Sequence, residues 1–212
     1  LGGFAFSDLD KPCENSFADA MGNRYITCIN ADYSEKDPFT YVVTPRGNWT
    51  GRTKGGLIIS RDQCKSFERV KLPYGMSDEL DKHFHAIETP NVNAGWVAMS
   101  SDANTLVWSV ADGITLPKEL VIVSKDAGKS WQLVNTNSDD KLFKVYADRV
   151  DKDLFFGFTD EGRIFASTDG GCSFALIHED GPFKHVNFGL IDCANKTEIR
   201  FESGNMTSLG QS

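Results

Sequence analysis

The chain has 212 residues, of which 40% are hydrophobic and 25% charged, and its formal net charge is −8. That composition suits one sizeable globular domain or two small ones. The acidic balance argues against a nucleic-acid or anionic-membrane surface, and no apolar run approaches the roughly 18 residues a membrane helix needs. The chain starts without Met or a leader peptide, so it is expected to be a processed product or a piece of a longer protein.

Helical periodicity is almost absent. Short runs rich in Val, Ile, Phe, Tyr and Thr alternate with clusters of Gly, Asp, Asn and Pro, which predicts an all-β fold. In chain order, strands are predicted at 24–30, 39–45, 55–60 and 67–72; at 95–101, 105–110, 119–124 and 131–134; at 143–150, 154–159, 163–167 and 174–178; and at 185–191 and 197–203. Most linkers are short, and no low-complexity segment or domain boundary interrupts the series.

Three linkers share one pattern. "SRDQCKSF" starts at Ser60, "SKDAGKSW" at Ser124 and "STDGGCSF" at Ser167, all of the form S-x-D-x-x-x-S-[WF]. In each, a predicted strand ends at the first Ser and the next begins at the aromatic. The Asp carboxylate is suited to accept turn N–H groups, the Gly at the fifth place supplies positive φ, and the aromatic enters the core. Cys64 stands at that Gly place in the first box. Three copies of a catalytic group at this spacing make no chemical sense, so Asp62, Asp126 and Asp169 are read as hairpin staples rather than catalysts. Three strands, a box and a fourth strand make a β-propeller blade. Residues 1–212 are therefore expected to form a partial propeller domain of about three to four blades, completed by further blades or a second propeller of the same protein.

The five cysteines lack C-x-x-C spacing and only four His are present, so no metal site or cofactor is expected. Cys13 and Cys28 could be disulfide-bonded; buried free thiols are the alternative. Sequons at Asn48, Asn195 and Asn205 are common chance triplets and carry little weight.

Two stretches carry a more specific resemblance. "YADRVDKDLFFGFTDEGRIFASTDGGCSF" (146–174) resembles the segment of glycoside hydrolase family 74 xyloglucanases in which S-D-R-V-x-P leads through F-Y-G to a final strand and box, and "WVAMSSDANTLVWS" (96–109) is similar to the family's V-A-x-S-x-D-x-x-x-x-V-W-S hairpin. "LGGFAFSDLDKP" (1–12) is similar to its D-x-G-G-F-x-x-x-D-L, which opens the second of two propellers. The resemblance implies an Asp-box propeller with one wall of a glucan-binding cleft, in a secreted or cell-surface endo-β-1,4-glucanase of xyloglucan type. Gly2, Gly3, Phe4 and Asp8 match the motif and become candidate substrate-binding residues. The family's acid would precede Leu1, and Ala5-Phe6-Ser7 replaces its Arg-His-Asp, so no catalytic residue is assigned in this chain.

The resemblance places the cleft on the face opposite the boxes, with the loops 45–54, 111–119 and 160–163 and the crossovers 73–88, 136–142 and 179–184. Trp49, an aromatic in a polar loop, is the candidate stacking platform for a sugar ring; a Trp folded back over the blade edge is the bland alternative. Trp96, Trp108 and Trp131 are expected in the core. His83 and His85 are expected as partly exposed loop residues, and Asp78, Glu79 and Asp81 as a solvated acidic run. The main alternative function is a non-catalytic propeller that binds glycans or proteins, as in sortilin-like receptors or adhesins. A sialidase, which needs an arginine triad (Arg24, Arg46 and Arg149 are among those present), ranks last.

Overall fold

The computed structural model describes residues 2–13, 15–90, 92–110, 120–134, 142, 144–159 and 161–179, with the backbone of 189–195 and 198–203. A short N-terminal pair, β1 (Phe4–Ala5) and β2 (Asn15–Ser16), precedes three four-stranded antiparallel sheets. The first sheet is β3 (Cys28–Tyr33), β4 (Tyr41–Pro45), β5 (Ile58–Ser60) and β6 (Glu68–Arg69). The second is β7 (Trp96–Met99), β8 (Leu106–Val110), β9 (Leu120–Ser124) and β10 (Gln132–Leu133). The third is β11 (Lys144–Ala147), β12 (Phe155–Phe158), β13 (Ile164–Ser167) and β14 (Ala175–His178). A pair, β15 (Gly189–Asn195) and β16 (Glu198–Ser203), follows. Every sheet is a meander in chain order, the blade arrangement predicted from the sequence.

Period-2 alternation sorts the side chains between sheets. Along β8, Leu106, Trp108 and Val110 join a buried cluster with Val42, Leu57 and Ile59 of the first sheet. Val107, pointing the other way, joins Val145, Phe155 and Phe165 of the third. The first strands pack side by side, with β7 between β3 and β11. As an edge strand, β7 has outward N–H groups that burial would leave unpaired. Two side chains two residues apart on β3 satisfy them: Asn30 Oδ1 accepts Val97 N at 2.8 Å and Asp32 Oδ2 accepts Met99 N at 2.7 Å.

The three boxes form one hydrogen-bonded cage, repeated. The box Asp takes the hydroxyl of the second Ser at 2.6 Å in all three. Its other oxygen accepts that serine's N–H at 2.9 Å (Asp62), 2.8 Å (Asp126) and 3.0 Å (Asp169). The first Ser accepts the fifth residue's N–H at 2.8 Å in each case. The fourth and fifth residues are all left-handed, with φ of 60° and 62° at Gln63 and Cys64, 57° and 88° at Ala127 and Gly128, and 72° and 82° at Gly170 and Gly171. That conformation turns the fourth N–H toward the hairpin between the first two strands of the same sheet. There Gln63 reaches Phe39 O (3.0 Å), Ala127 reaches Asn104 O (2.8 Å) and Gly170 reaches Asp153 O (2.8 Å). All three carboxyls are held down at about 2. The second-Ser hydroxyl is the largest cause at Asp62 and Asp126; at Asp169 partial burial pulls upward and the two serines overcome it. The box Asp residues are staples, and their lone pairs are committed.

Some expectations need correction. The crossover 73–88 contains a helix, α1 (Asp78–Ile87), N-capped by Ser77, whose side chain accepts Leu80 N. Its acids Asp78, Glu79 and Asp81 fill the first turn, where they favour the helix dipole, and Asp81 also accepts Gly75 N. Leu80, Phe84 and Ile87 are buried against the first two sheets. His83 is buried too, because it shares that face, whereas His85 is exposed beside Tyr74. Cys13, Cys28, Cys64 and Cys172 are all free thiols, so Cys13 and Cys28 are not bridged. Trp108 is fully buried, as expected, and Trp131 is partly buried against it with ring centroids 5.9 Å apart.

Candidate functional site

In each meander the first and third strands run the same way. The box turns, which follow the third strands, therefore lie where the first strands finish. The loop after each second strand lies at the opposite end, where β3, β7 and β11 begin. Loop 45–54 is at that end; loop 111–119 and most of the crossovers 136–142 and 179–184 fall outside the described residues, as does Asp160 of 160–163.

Loop 45–54 is held open by one side chain. Asn48 Oδ1 accepts the Thr50 hydroxyl (2.7 Å), Arg52 N (3.0 Å) and Thr53 N (3.3 Å). Gly51 N closes a turn onto Asn48 O at 2.9 Å, and Gly51 has φ of 69°. An Asn that caps its own following turn is standard loop chemistry. The result is a tight loop whose apex side chain, Trp49, is 70% exposed; it does not fold back over the sheet edge.

The loop is docked on its neighbours. Arg46 N donates to Thr27 O at 2.8 Å, and Asn48 Nδ2 reaches Arg24 O at 3.4 Å. Arg46 Nε donates to Asn93 Oδ1, just ahead of β7. Gly2 lies against the same 24–28 stretch, where a Cβ would sit 2.5 Å from Tyr25 O. A Cβ on Gly3 would sit 2.1 Å from the Phe17 ring, and Gly3 O accepts Phe17 N at 2.8 Å. Gly2 is thus required by close backbone approach, and Gly3 by the Phe17 ring packed over it. Phe4 is 47% exposed and lines a groove of about 810 Å³ along the outer edge of the first sheet, which runs from Arg24 to Arg61, Asp62, Lys65 and Ser66 of the first box and so reaches the opposite end. Asp8 is apart from this cluster: its carboxylate accepts Asp10 N (3.0 Å) and pairs with Lys11 (2.9 Å), which lowers its pKa, and none of these bonds reaches the Trp49 loop. The structure therefore gathers Trp49, Gly2 and Gly3 around residues 24–28, sets Phe4 on the adjoining groove, and leaves Asp8 in a separate turn.

A second group at this end was not anticipated. Trp96, assigned to the core, is only partly buried. It stands 5.9 Å from the Tyr146 ring, and Tyr146 lies 5.6 Å from Phe158. Lys144, almost fully buried, holds its ammonium 4.9 Å from the Trp96 centroid, and burial pushes its pKa down to about 8. The alternation in "FKVY" places Lys144 and Tyr146 on one face; that Trp96 meets them across two sheets is not written in any local pattern.

Chemistry at this end is restricted. Burial raises the Cys28 thiol at this end, and raises Cys64, in the first box at the other end, to about 11, so neither is a ready thiolate. Among the described residues no group of three or more His, Cys, Asp or Glu is placed to hold a metal ion. Arg149 is at the opposite end from Arg24 and Arg46. Its guanidinium bonds buried Asp32 at 2.6 Å and Tyr33 O at 3.0 Å, where Asp32, its pKa raised by burial, is opposed by that cation. The three arginines do not converge into a triad.

No family model matches the chain. A curated xyloglucanase from Paenibacillus sp is 27% identical over 176 residues, which cover 82% of this chain. Among solved structures, a glycoside hydrolase family 74 enzyme from Niastella koreensis aligns with 88% of the chain at 18% identity and a TM-score of 0.56. TolB from Acinetobacter baumannii aligns with 96% at 11% identity and a TM-score of 0.56. The chain spans only 15% of the xyloglucanase and 25% of the Niastella enzyme. The fold is a nearly all-β, propeller-type arrangement of four-stranded sheets, similar to that of glycoside hydrolase family 74. No described helix is long and apolar enough to cross a membrane.

Proposed function

We propose that this chain is part of an Asp-box propeller in a secreted polysaccharide-degrading protein of xyloglucanase type, and that it supplies one wall of a glucan-binding cleft. The observation that carries this reading is Trp49: a bulky indole, 70% exposed, on a loop tied down by Asn48 at the end of the sheets away from the boxes. Burial gains nothing from an exposed indole, whereas the apolar C–H face of a sugar ring stacks on one. The xyloglucanase similarity supports the choice of a glucan. Gly2, Gly3 and Phe4 would shape the adjoining wall, and Asp8 would hold its turn.

This chain would bind rather than cleave. Glycoside hydrolysis needs two carboxyls flanking one bond. The box carboxylates are locked in their turns at the far end, and Asp8 is paired with Lys11. Isothermal titration with xyloglucan oligosaccharides, on the wild type and Trp49→Ala, tests the proposal beside a reducing-sugar assay. Weak binding lost in Trp49→Ala and no released sugar are expected. Robust cleavage would overturn the division of roles, and equal affinity in the two proteins would remove Trp49 from the site. The alternative of a non-catalytic binding propeller draws on the Ala5-Phe6-Ser7 departure. It predicts the same binding result and an absence of cleavage even in the full-length protein.

A further inference from the structure

Asn48 fixes the shape of loop 45–54 but not where the loop stands on the sheets. Its front leg is placed by the bonds of Arg46 to Thr27 and Asn93. Its rear leg ends at Gly55, which is buried and pressed onto the last turn of helix α1: a Cβ there would sit 2.3 Å from Ile87 O. The two legs are joined at their base, where Gly56 N donates to Pro45 O at 3.3 Å. A side chain from outside the loop closes on this point. Arg69, in β6, donates to Gly55 O twice, from Nη2 at 2.9 Å and from Nε at 3.3 Å. The same Nη2 reaches Oε1 of Glu88, the C-cap of α1, at 2.9 Å, and the other Glu88 oxygen takes Lys54 Nζ at 3.1 Å. Burial pushes the Glu88 carboxyl up, and Lys54 and Arg69 overcome it and hold it below its ordinary pKa.

A guanidinium suits this place. Its planar fork of donors holds a carbonyl and a carboxylate at once, which the point charge of a lysine does not, and bonds from a charged donor are stronger than neutral ones. A loop that must be ordered when the ligand arrives subtracts that ordering from the binding free energy, so an exposed platform gains affinity by being set beforehand. We infer that Arg69, aligned by Glu88, is a positioning residue for the Trp49 platform, anchoring the rear leg of loop 45–54 between helix α1 and the first sheet. Its effect on a ligand runs through the loop, not through contact. This rests on the reading of Trp49 as a sugar platform and adds what holds that platform in place.

The test titrates a xyloglucan oligosaccharide into the 212-residue chain and its variants Trp49→Ala, Arg69→Gln, Arg69→Lys and Glu88→Gln, with amide hydrogen exchange followed by segment in the free proteins. Arg69→Gln should bind about tenfold more weakly, the loss of one charged hydrogen bond. Arg69→Lys should recover part of that affinity, and Glu88→Gln, which keeps a neutral acceptor, should lose about threefold. In all three, exchange should quicken in residues 45–56 while β3, β4 and β5 keep their protection, a local signature that a general structural role does not give. Trp49→Ala should abolish binding and leave exchange in the loop backbone unchanged. Wild-type affinity in Arg69→Gln and Glu88→Gln, with binding still lost in Trp49→Ala, would overturn the positioning role and leave the platform standing. Quickened exchange throughout the first sheet in both Arg69→Gln and Glu88→Gln would do the same, making Arg69 a residue of the fold. Binding indifferent to Trp49→Ala, or absent from the wild type, would overturn the platform itself and the inference with it.

Discussion

The two ends of these sheets are built on different rules. At the box end the same cage occurs three times, with the same serine–aspartate bonds, the same pair of left-handed residues and the same link from the fourth residue to the neighbouring hairpin. At the other end no such repeat is seen among the described residues. The first sheet has an Asn48-capped loop with an exposed Trp49, and the region where the second and third sheets begin has Trp96, Lys144 and Tyr146. Repetition marks what every sheet needs in order to stand beside the next. The departures from repetition are free to meet a ligand. A carboxylate with all its bonds spent on a turn is a structural part, whatever its resemblance to a catalytic acid.

The sharpest way to break the box end is at Gly171. A Cβ there would sit 2.3 Å from Val107 Cγ2 of the second sheet, at φ of 82°. Gly171→Ala should therefore combine left-handed strain with overpacking and cost about 2–4 kcal/mol, read as a lowered midpoint in denaturant. Asp169→Ala is expected to cost somewhat less, about 1–3 kcal/mol, through turn N–H groups left without an acceptor. An unchanged melt in Asp169→Ala would remove the staple role. Trp49→Ala, at the other end, should stay within about 0.5 kcal/mol of the wild type while affecting ligand affinity. A large loss of stability there would show the indole to be structural, and the contrast between the ends would collapse.

Acid bears on the box end through its three carboxyls. The box carboxyls have folded pKa values of about 2, below the ordinary value of 3.8. A depressed carboxyl stabilises the fold above its unfolded pKa, and that contribution fades as pH falls through the folded one. Stability should thus decline between roughly pH 4 and pH 2, and the decline should be shallower in Asp126→Ala, which has one staple fewer to protonate. Equal slopes in the two proteins would show that other groups govern the acid limb.

What the sequence revealed follows the same division. The three sheets were legible because β-strand alternation is local and the box repeats, so each copy supported the others. Helix α1 was overlooked although Ser77, an acidic first turn and Leu80, Phe84 and Ile87 at helical spacing were present; one ten-residue helix among many strand-like runs has little weight beside them. The strand at β3 begins at Cys28 and runs to Tyr33, later than its apolar run suggests, because Asn30 and Asp32 are there to complete β7 rather than to fill a core. Trp49 could be named as a candidate from its polar surroundings, but its exposure depends on the Asn48 cap and its docking on residues 24–28. The contact of Lys144 with Trp96 joins residues of two sheets and has no local signature at all.

The smallest expected effect lies within the box end, at the one place where its rule is broken. Cys64 occupies the position of Gly128 and Gly171 and shares their left-handed backbone, with φ of 62°. Gly171 abuts the preceding sheet, and a Cβ on Gly128 would lie 3.3 Å from Val70 of the sheet before it. Among the described residues Cys64 faces the segment that carries Phe17 and Tyr25, and its side chain packs with the cluster of Tyr25, Val43, Ile58 and Phe67. Space therefore permits a side chain there, while the backbone still disfavours one by about 1–2 kcal/mol. Cys64→Gly would remove that strain, give up a partly buried contact and add about 0.5–1 kcal/mol of unfolded-chain entropy. The balance is a stabilisation of under about 1 kcal/mol, a rise of no more than about 4 °C in melting temperature. A fall in melting temperature would mean that the cluster gains more from the cysteine than the turn loses, making the exception at the first box a packing device.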